Sequence, residues 1–229
     1  MIPAILHYPD RDSQARDLAE IVARELVEAV VAKGGATLAV PGGTTPAPFL
    51  KLLAQTQMDW AKIRVMLTDE RFVPESSDRS NTRLIKQTLL QGPAAAARFV
   101  PFYAPGEAPE PVIEALRADV GAALPLDVCV LGMGEDMHTA SLFPGADNLE
   151  AALKPVAPVL MAMRAPGAPE PRMTLSGPVL RAAGALHLLI TGEGKKMALE
   201  RAMADGPVVE APVRAVLTGP TPVTVHYAD

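Results

Sequence analysis

The sequence predicts an α/β fold in which a mostly parallel central sheet carries helices on both faces, in a Rossmann-like, doubly wound arrangement. Three observations point there. Short apolar runs at 36–40, 63–67, 126–131 and 185–191 lack the polar alternation of a one-sided sheet, as strands buried on both faces do. They alternate with stretches whose apolar residues recur at helical spacing. Turn-forming residues follow several of the apolar runs directly, as in Pro41-Gly42-Gly43-Thr44-Thr45-Pro46.

His7 falls in a predicted first strand. From Ser13 to Lys33, the residues Leu18, Ile21, Val22, Leu26 and Val30 share one helical face, with Ser13 as the expected cap and Gly34-Gly35 as the stop. Ala36 to Val40 is too short and too apolar for a helix and reads as a buried strand. Thr45-Pro46 then supplies a cap and a first helical residue. The pattern continues with a strand at Ile63–Leu67, helices at Asn81–Leu90 and Pro111–Ala123, and a strand at Leu126–Leu131. It closes with a strand at Ala185–Thr191, a helix at Lys195–Met203, and strands at Val213–Leu217 and Val223–His226. The Pro-rich stretches 101–111 and 155–171 are the only candidate boundaries. Regular patterns resume after each, so residues 1–229 read as a single domain with long loops.

The chain has 229 residues, 49% apolar and 21% charged, with a net charge of −5. That balance excludes a disordered tail and argues against a nucleic-acid binder working through a basic surface. No run approaches the roughly 18–20 unbroken apolar residues of a membrane helix, and the first ten residues lack the layout of a signal peptide, so a cytoplasmic protein without a membrane partner is expected. Cys129 is the only cysteine and no Cys/His cluster has zinc-ligand spacing, so neither a disulfide nor a metal is expected.

In open α/β sheets ligands bind beyond the carboxyl ends of the strands. The loops lying there are 41–46, 68–81, 132–144 and 192–195. In the first, Gly42 and Gly43 let the backbone approach a ligand, Thr44 and Thr45 add hydroxyl donors, and free amides at a helix start suit an anion; an ordinary strand-to-helix turn is the alternative. In the second, Asp69, Glu70, Arg71 and Arg79 either orient a charged sugar or form a surface ion-pair cluster. The third holds Gly132-Met133-Gly134-Glu135-Asp136-Met137-His138-Thr139-Ala140-Ser141. Met137 occupies the place of the third glycine of a dinucleotide loop, which weakens a nicotinamide reading. What remains is a histidine on a glycine-flexed turn with Asp136 two residues before it. A neighbouring carboxylate fixes a histidine's tautomer and raises its basicity, as a general base requires, while a hydrogen-bonded structural histidine is the plainer option. Ser141 lacks a nucleophile elbow. His7, His187 and His226 read as packing or edge residues. Arg172 and Lys195 suit an anion, the first as a fork and the second as a point charge.

Taken in order, these loops resemble the 6-phosphogluconolactonase family. The resemblance rests on Pro41–Pro46, on Asp69-Glu70-Arg71-Phe72-Val73-Pro74 with Arg79-Ser80-Asn81, on Gly132 to Pro144, on Arg172-Met173-Thr174-Leu175, and on Gly192 with Lys195. It implies cofactor-free hydrolysis of 6-phospho-D-glucono-1,5-lactone to 6-phosphogluconate, the second step of the oxidative pentose phosphate pathway, on a small-molecule sugar-phosphate lactone. His138 would then be the general base, with Asp136 or Asp69 orienting it, and amides around Gly42-Gly43 or Gly132–Gly134 would meet the oxyanion. Gly42, Gly43, Thr44, Thr45, Arg71, Arg172 and Lys195 would hold the substrate and its phosphate. The glycine-threonine loop is shared with glucosamine-6-phosphate deaminases, whose corresponding segment continues His-Ile-Ala-Phe-Asn-Glu-Pro; here it reads His138-Thr139-Ala140-Ser141-Leu142-Phe143-Pro144. The alternatives are such a deaminase or isomerase and a non-catalytic sugar-phosphate sensor. Two positions depart from the family pattern. Met137 stands where glycine is usual, and a negative φ is expected there because methionine rarely adopts a positive one. His226 stands where a tryptophan is frequent.

Overall fold

The computed structural model describes residues 3–229. Its strands are β1 (Ala4–His7), β2 (Ala36–Val40), β3 (Ile63–Leu67), β4 (Asp69–Arg71), β5 (Arg98–Val100), β6 (Val128–Leu131), β7 (Leu160–Met163), β8 (Arg172–Leu175), β9 (Ala185–Thr191) and β10 (Val223–Ala228). The helices are α1 (Arg11–Lys33), α2 (Ala47–Ala54), α3 (Asn81–Thr88), α4 (Ile113–Ala123), α5 (Leu149–Leu153), α6 (Gly177–Arg181), α7 (Glu193–Met203) and α8 (Arg214–Leu217). Seven strands form one sheet in the order β1-β10-β9-β6-β2-β3-β5, and every pairing in it is parallel. The expected doubly wound sheet is therefore present, and its strands β2, β6 and β9 are buried almost throughout. No helix among the described residues is long and apolar enough to cross a membrane.

The topology locates a crevice. The chain runs outward from β2 through β3 to β5, then returns to β6 on the other side of β2 and continues to β9, β10 and back to β1's edge. The direction of winding reverses between β2 and β6, which is where open sheets of this kind part to admit ligands.

The helix α1 buries Leu18, Val22 and Leu26 with the small residues Ala15, Ala19 and Ala23 between them, so a 23-residue helix packs closely on the sheet. Its cap is Asp10, whose carboxylate accepts from the Ser13 amide at 2.7 Å. Ser13, expected as the cap, lies inside the helix because Asp10 offers the stronger, charged acceptor three residues earlier.

Other expectations are corrected. Thr45 makes no capping bond and α2 begins at Ala47 after Pro46, which leaves Thr44 and Thr45 in the loop. The apolar run Val213–Leu217 is not a strand; Arg214 to Leu217 form α8. Val216 and Leu217 donate back to Val213's carbonyl at 3.0 and 3.1 Å, and the turn is anchored by the buried Arg214, so local hydrogen bonding overrides the β-branched character of the run. The segment 68–81 is not all loop. Its β4 joins β8 and β7 in a separate three-stranded antiparallel sheet, extended by the Leu175 amide donating to Thr68's carbonyl at 3.0 Å.

Candidate active site

The loops after β2, β3, β6 and β9 converge on a cleft of about 220 Å³ at the winding reversal. Gly42, Gly43, Thr44, Thr45, Asp69, Arg71, His138, Arg172 and Lys195 all line it. Asp136 stands behind His138, outside the lining.

Three devices build the histidine. Gly134 donates its amide to His138's carbonyl at 2.9 Å, and Met137 donates to Gly134's carbonyl at 3.0 Å, closing a tight turn. Thr139 Oγ1 donates to Gly132's carbonyl at 2.8 Å, fixing the turn's exit to its entry. The Asp136 carboxylate then meets His138 Nδ1 at 2.5 Å. A carboxylate only accepts, so Nδ1 is the donor, and in the neutral ring the lone pair is then on Nε2. Among the described residues nothing hydrogen-bonds to Nε2. The same contact holds the Asp136 carboxyl below its ordinary value, against the opposing effect of burial. A Cβ on Gly134 would lie 2.2 Å from both Asp136 Oδ1 and His138 Nδ1; only glycine lets the pair settle over that backbone.

Met137 has φ 64°, the left-handed region rather than the expected negative value. The close hairpin from Gly134 to His138 demands it, and the cost of placing a side chain there is of order 1–2 kcal/mol. Ala140, at φ 50°, repeats the strain on the other side of the histidine.

Asp69 has a different partner from the one the sequence allowed. It accepts from Ser141 Oγ at 2.5 Å, while the Ser141 amide donates to Thr174 Oγ1 at 3.2 Å. Asp69 thus ties the loop that carries His138 to the small sheet, and of the two candidates it is Asp136 that meets His138. Ser141 is buried and fully engaged.

The antiparallel register places Arg71 opposite Arg172. Like charges paired across a ladder repel. Arg71 is steadied by Arg79's carbonyl at 2.8 Å and Asn81 Oδ1 at 3.2 Å. Arg172 is only 9% exposed and its Nε has no hydrogen-bond partner. Burial draws its guanidinium below the ordinary value, with Asp69 pulling the other way. Its guanidinium carbon lies 5.8 Å over the Phe143 ring, and that ring packs against His138 with centroids 4.2 Å apart. Lys195 enters from the first turn of α7 and forms no ion pair among the described residues. Nor do the amides of Gly42, Gly43, Thr44 and Thr45 find a protein acceptor there. The cleft is therefore a concentration of unspent donors and positive charge on a protein of net charge −5, and it calls for an anion.

The sequence cluster 69–79 resolves into separate parts. Arg79 pairs with Glu170 at the surface. Glu70 is buried and accepts from the amides of Arg71 and Asn81 at 2.8 Å each and from the amide and hydroxyl of Thr82 at 2.7 Å, a carboxylate at the positive end of α3. Burial lifts its carboxyl above the ordinary value although these donors oppose the shift. Asn81, unassigned from the sequence, lines the cleft and donates to Asp69's carbonyl at 3.0 Å. Its amide packs where a Cβ on Gly42 would sit, within 2.1 Å. Phe143 was also missed. Its position five residues after His138 was the only sequence signal for it.

Fold and cleft together define an α/β enzyme that binds an anionic substrate at a winding reversal beside a carboxylate-oriented histidine. The family model for glucosamine-6-phosphate isomerases/6-phosphogluconolactonase matches residues 9–225, and the chain belongs to that family. It is 47% identical over 219 residues to the 6-phosphogluconolactonase of Rhizobium meliloti (strain 1021), covering 93% of this chain and 94% of that one. It is 46% identical over 228 residues to the 6-phosphogluconolactonase of Mesorhizobium japonicum, covering 96% and 93%. The crystal structure of a 6-phosphogluconolactonase from Shewanella baltica OS155 superposes with a TM-score of 0.96 at 34% identity, covering 99% of this chain and 98% of that one.

Proposed function

We propose that this protein hydrolyses 6-phospho-D-glucono-1,5-lactone to 6-phospho-D-gluconate, the lactonase step of the oxidative pentose phosphate pathway, without a cofactor. The observation that carries the reading is one cleft holding both a histidine with a free Nε2, oriented by Asp136, and a repelling arginine pair that forms no ion pair among the described residues. The relatives named above supply the substrate class.

A δ-lactone is an activated ester, so a base, an oxyanion donor and good positioning suffice. His138 Nε2 takes a proton from water as the oxygen attacks the lactone carbonyl carbon. The tetrahedral oxyanion collapses, the ring C–O bond breaks, and the imidazolium returns its proton to the departing ring oxygen. The products are a carboxylic acid, which ionises, and the ring hydroxyl. Asp136 stabilises the transient imidazolium. Arg71, Arg172 and Lys195 bind the phosphate, with Thr44 and Thr45 completing the anion site and the Gly42 and Gly43 amides left for the reacting carbonyl. Gly134's amide is occupied by His138's carbonyl, which favours the Gly42-Gly43 amides over it for the oxyanion. Asp69 keeps the loop and the small sheet in register rather than moving a proton. A doubly charged sugar phosphate does not cross membranes unaided, which supports the cytoplasm as the site of the reaction.

A coupled assay with freshly generated lactone, corrected for spontaneous hydrolysis, tests the reading. Enzyme-dependent 6-phosphogluconate formation is expected. Ammonia release from glucosamine-6-phosphate without lactonase activity would replace it with a deaminase, and ligand-induced thermal stabilisation without turnover would replace it with a sensor.

A further inference from the structure

The strained turn that carries His138 is held from outside by a segment that never reaches the cleft. Its internal hydrogen bonds, Gly134 to His138 and Met137 to Gly134, close the turn but do not aim it. Two carbonyls just before the histidine face outward instead. Met137's accepts from the Val213 amide at 3.1 Å, and Glu135's accepts from Arg201 Nη2 at 2.9 Å. Both donors belong to the stretch running from the end of α7 into α8.

That stretch is fastened by Arg214. The side chain is 8% exposed, and its guanidinium donates from Nε to Ala202's carbonyl at 2.9 Å, from Nη1 to Pro207's at 2.9 Å and from Nη2 to Arg201's at 3.1 Å. No carboxylate pairs with it among the described residues. The positive charge is spent on carbonyls at the C-terminal end of α7, where the helix dipole is negative. Gly206 leaves the room, since a Cβ there would lie 2.6 Å from Nη1. The neighbour of Arg214 in sequence, Val213, is the residue that grips Met137. The other end of α7 presents Lys195 to the cleft, so one helix spans the anion site and the mounting of the histidine.

We propose that Arg201 and Arg214 are positioning residues for His138. They set the aim of the turn through the carbonyls of Glu135 and Met137, and without them the closed turn shifts as a unit and carries Nε2 away from the reacting carbon. The proposal rests on the lactonase reading with His138 as base.

Arg201 is exposed, so Arg201→Ala should fold normally, and Arg214→Met keeps the length of the buried side chain without its donors. For Arg201→Ala, kcat should fall about tenfold with KM within about twofold of wild type, because misaim affects the base and not the phosphate. Arg201→Lys should recover part of the loss. Arg214→Met, assayed well below its own melting temperature, should lose at least as much. Imidazole ¹⁵N shifts of His138 should move away from the pure Nδ1–H tautomer in both variants. Wild-type activity serves as the control for the underlying reading: an inactive wild type overturns both. An active wild type, with Arg201→Ala at native kcat and native His138 shifts, overturns this inference alone, whether or not Arg214→Met folds.

Discussion

Replacing Glu70 by glutamine removes one charge and almost no volume, and the structure sets how much that should cost. The carboxylate takes four short hydrogen bonds, two on each oxygen: the Arg71 and Asn81 amides on Oε1, the Thr82 amide and hydroxyl on Oε2. Glutamine has one acceptor oxygen, so its NH₂ must face one of these pairs. The less costly choice is the Thr82 side, where the hydroxyl can rotate but the backbone amide is left facing another donor. One orphaned buried amide costs about 1–3 kcal/mol; the surviving bonds lose their charge assistance, but glutamine also sheds the burial penalty that lifts the Glu70 pKa, so the total stays at roughly 1–3 kcal/mol. For a chain of this size that corresponds to a fall in Tm of roughly 2–12 °C. Urea titrations of Glu70→Gln and wild type at pH 7 measure it. Arg71 and Asn81 follow Glu70 into the cleft, so KM should rise more than kcat falls. A loss below about 0.5 kcal/mol would refute the reasoning, because it would mean that the donors do not converge on an ionised carboxylate.

The cleft itself offers further tests. Arg172→Met and Lys195→Met should each raise KM about tenfold or more with kcat little changed, since contacts to a non-reacting phosphate exist in ground and transition states alike; steady-state kinetics with unchanged KM in both variants would move the phosphate elsewhere. Gly134→Ala should lower kcat on the order of 10²-fold while Tm stays within a few degrees, because its Cβ meets Asp136 and His138 rather than the core. His226 is buried in a chain from Tyr8 Oη at 2.9 Å through His187 Nδ1 at 3.0 Å, with His187 Nε2 in turn 2.8 Å from Glu25. Burial and then His187's charge depress its pKa from 6.5 to about 3. The unfolded chain therefore binds the proton first, and this group's stabilising contribution is lost as pH falls from 6.5 towards 3, by about 2 kcal/mol between pH 7 and 5. The difference in urea midpoint between wild type and His226→Phe at the two pH values isolates it, and an unchanged difference would count against a buried neutral His226.

Patterns of local origin were legible in the sequence. The bounds of β2, β3 and β9 follow from apolar runs ended by turn residues, and the four loops beyond the strands contain the cleft. What escaped depends on pairing between distant segments. The strands β4, β7 and β8 have three or four residues each, β7 within the Pro-rich stretch 155–171 and β8 directly after it, and gain their structure only by meeting one another. The confrontation of Arg71 with Arg172 is a consequence of that register, so no spacing along the chain announces it. Whether Asp69 or Asp136 orients His138 was open for the same reason, since Asp69's competing partner, Ser141, is 72 residues away. At Met137 the general preference for negative φ gave the wrong sign. The tight Gly134–His138 closure outweighs it, with the hydrogen bond from Val213 supporting the strained residue.

The central claim is that His138, held by Asp136, activates water. The kcat of purified His138→Ala in the coupled lactone assay, after subtraction of spontaneous hydrolysis, tests it most directly. General-base catalysis predicts a fall of roughly 10²–10⁴-fold, with KM and Tm close to wild type. A folded variant that keeps near-native kcat would contradict the account and leave His138 a structural residue.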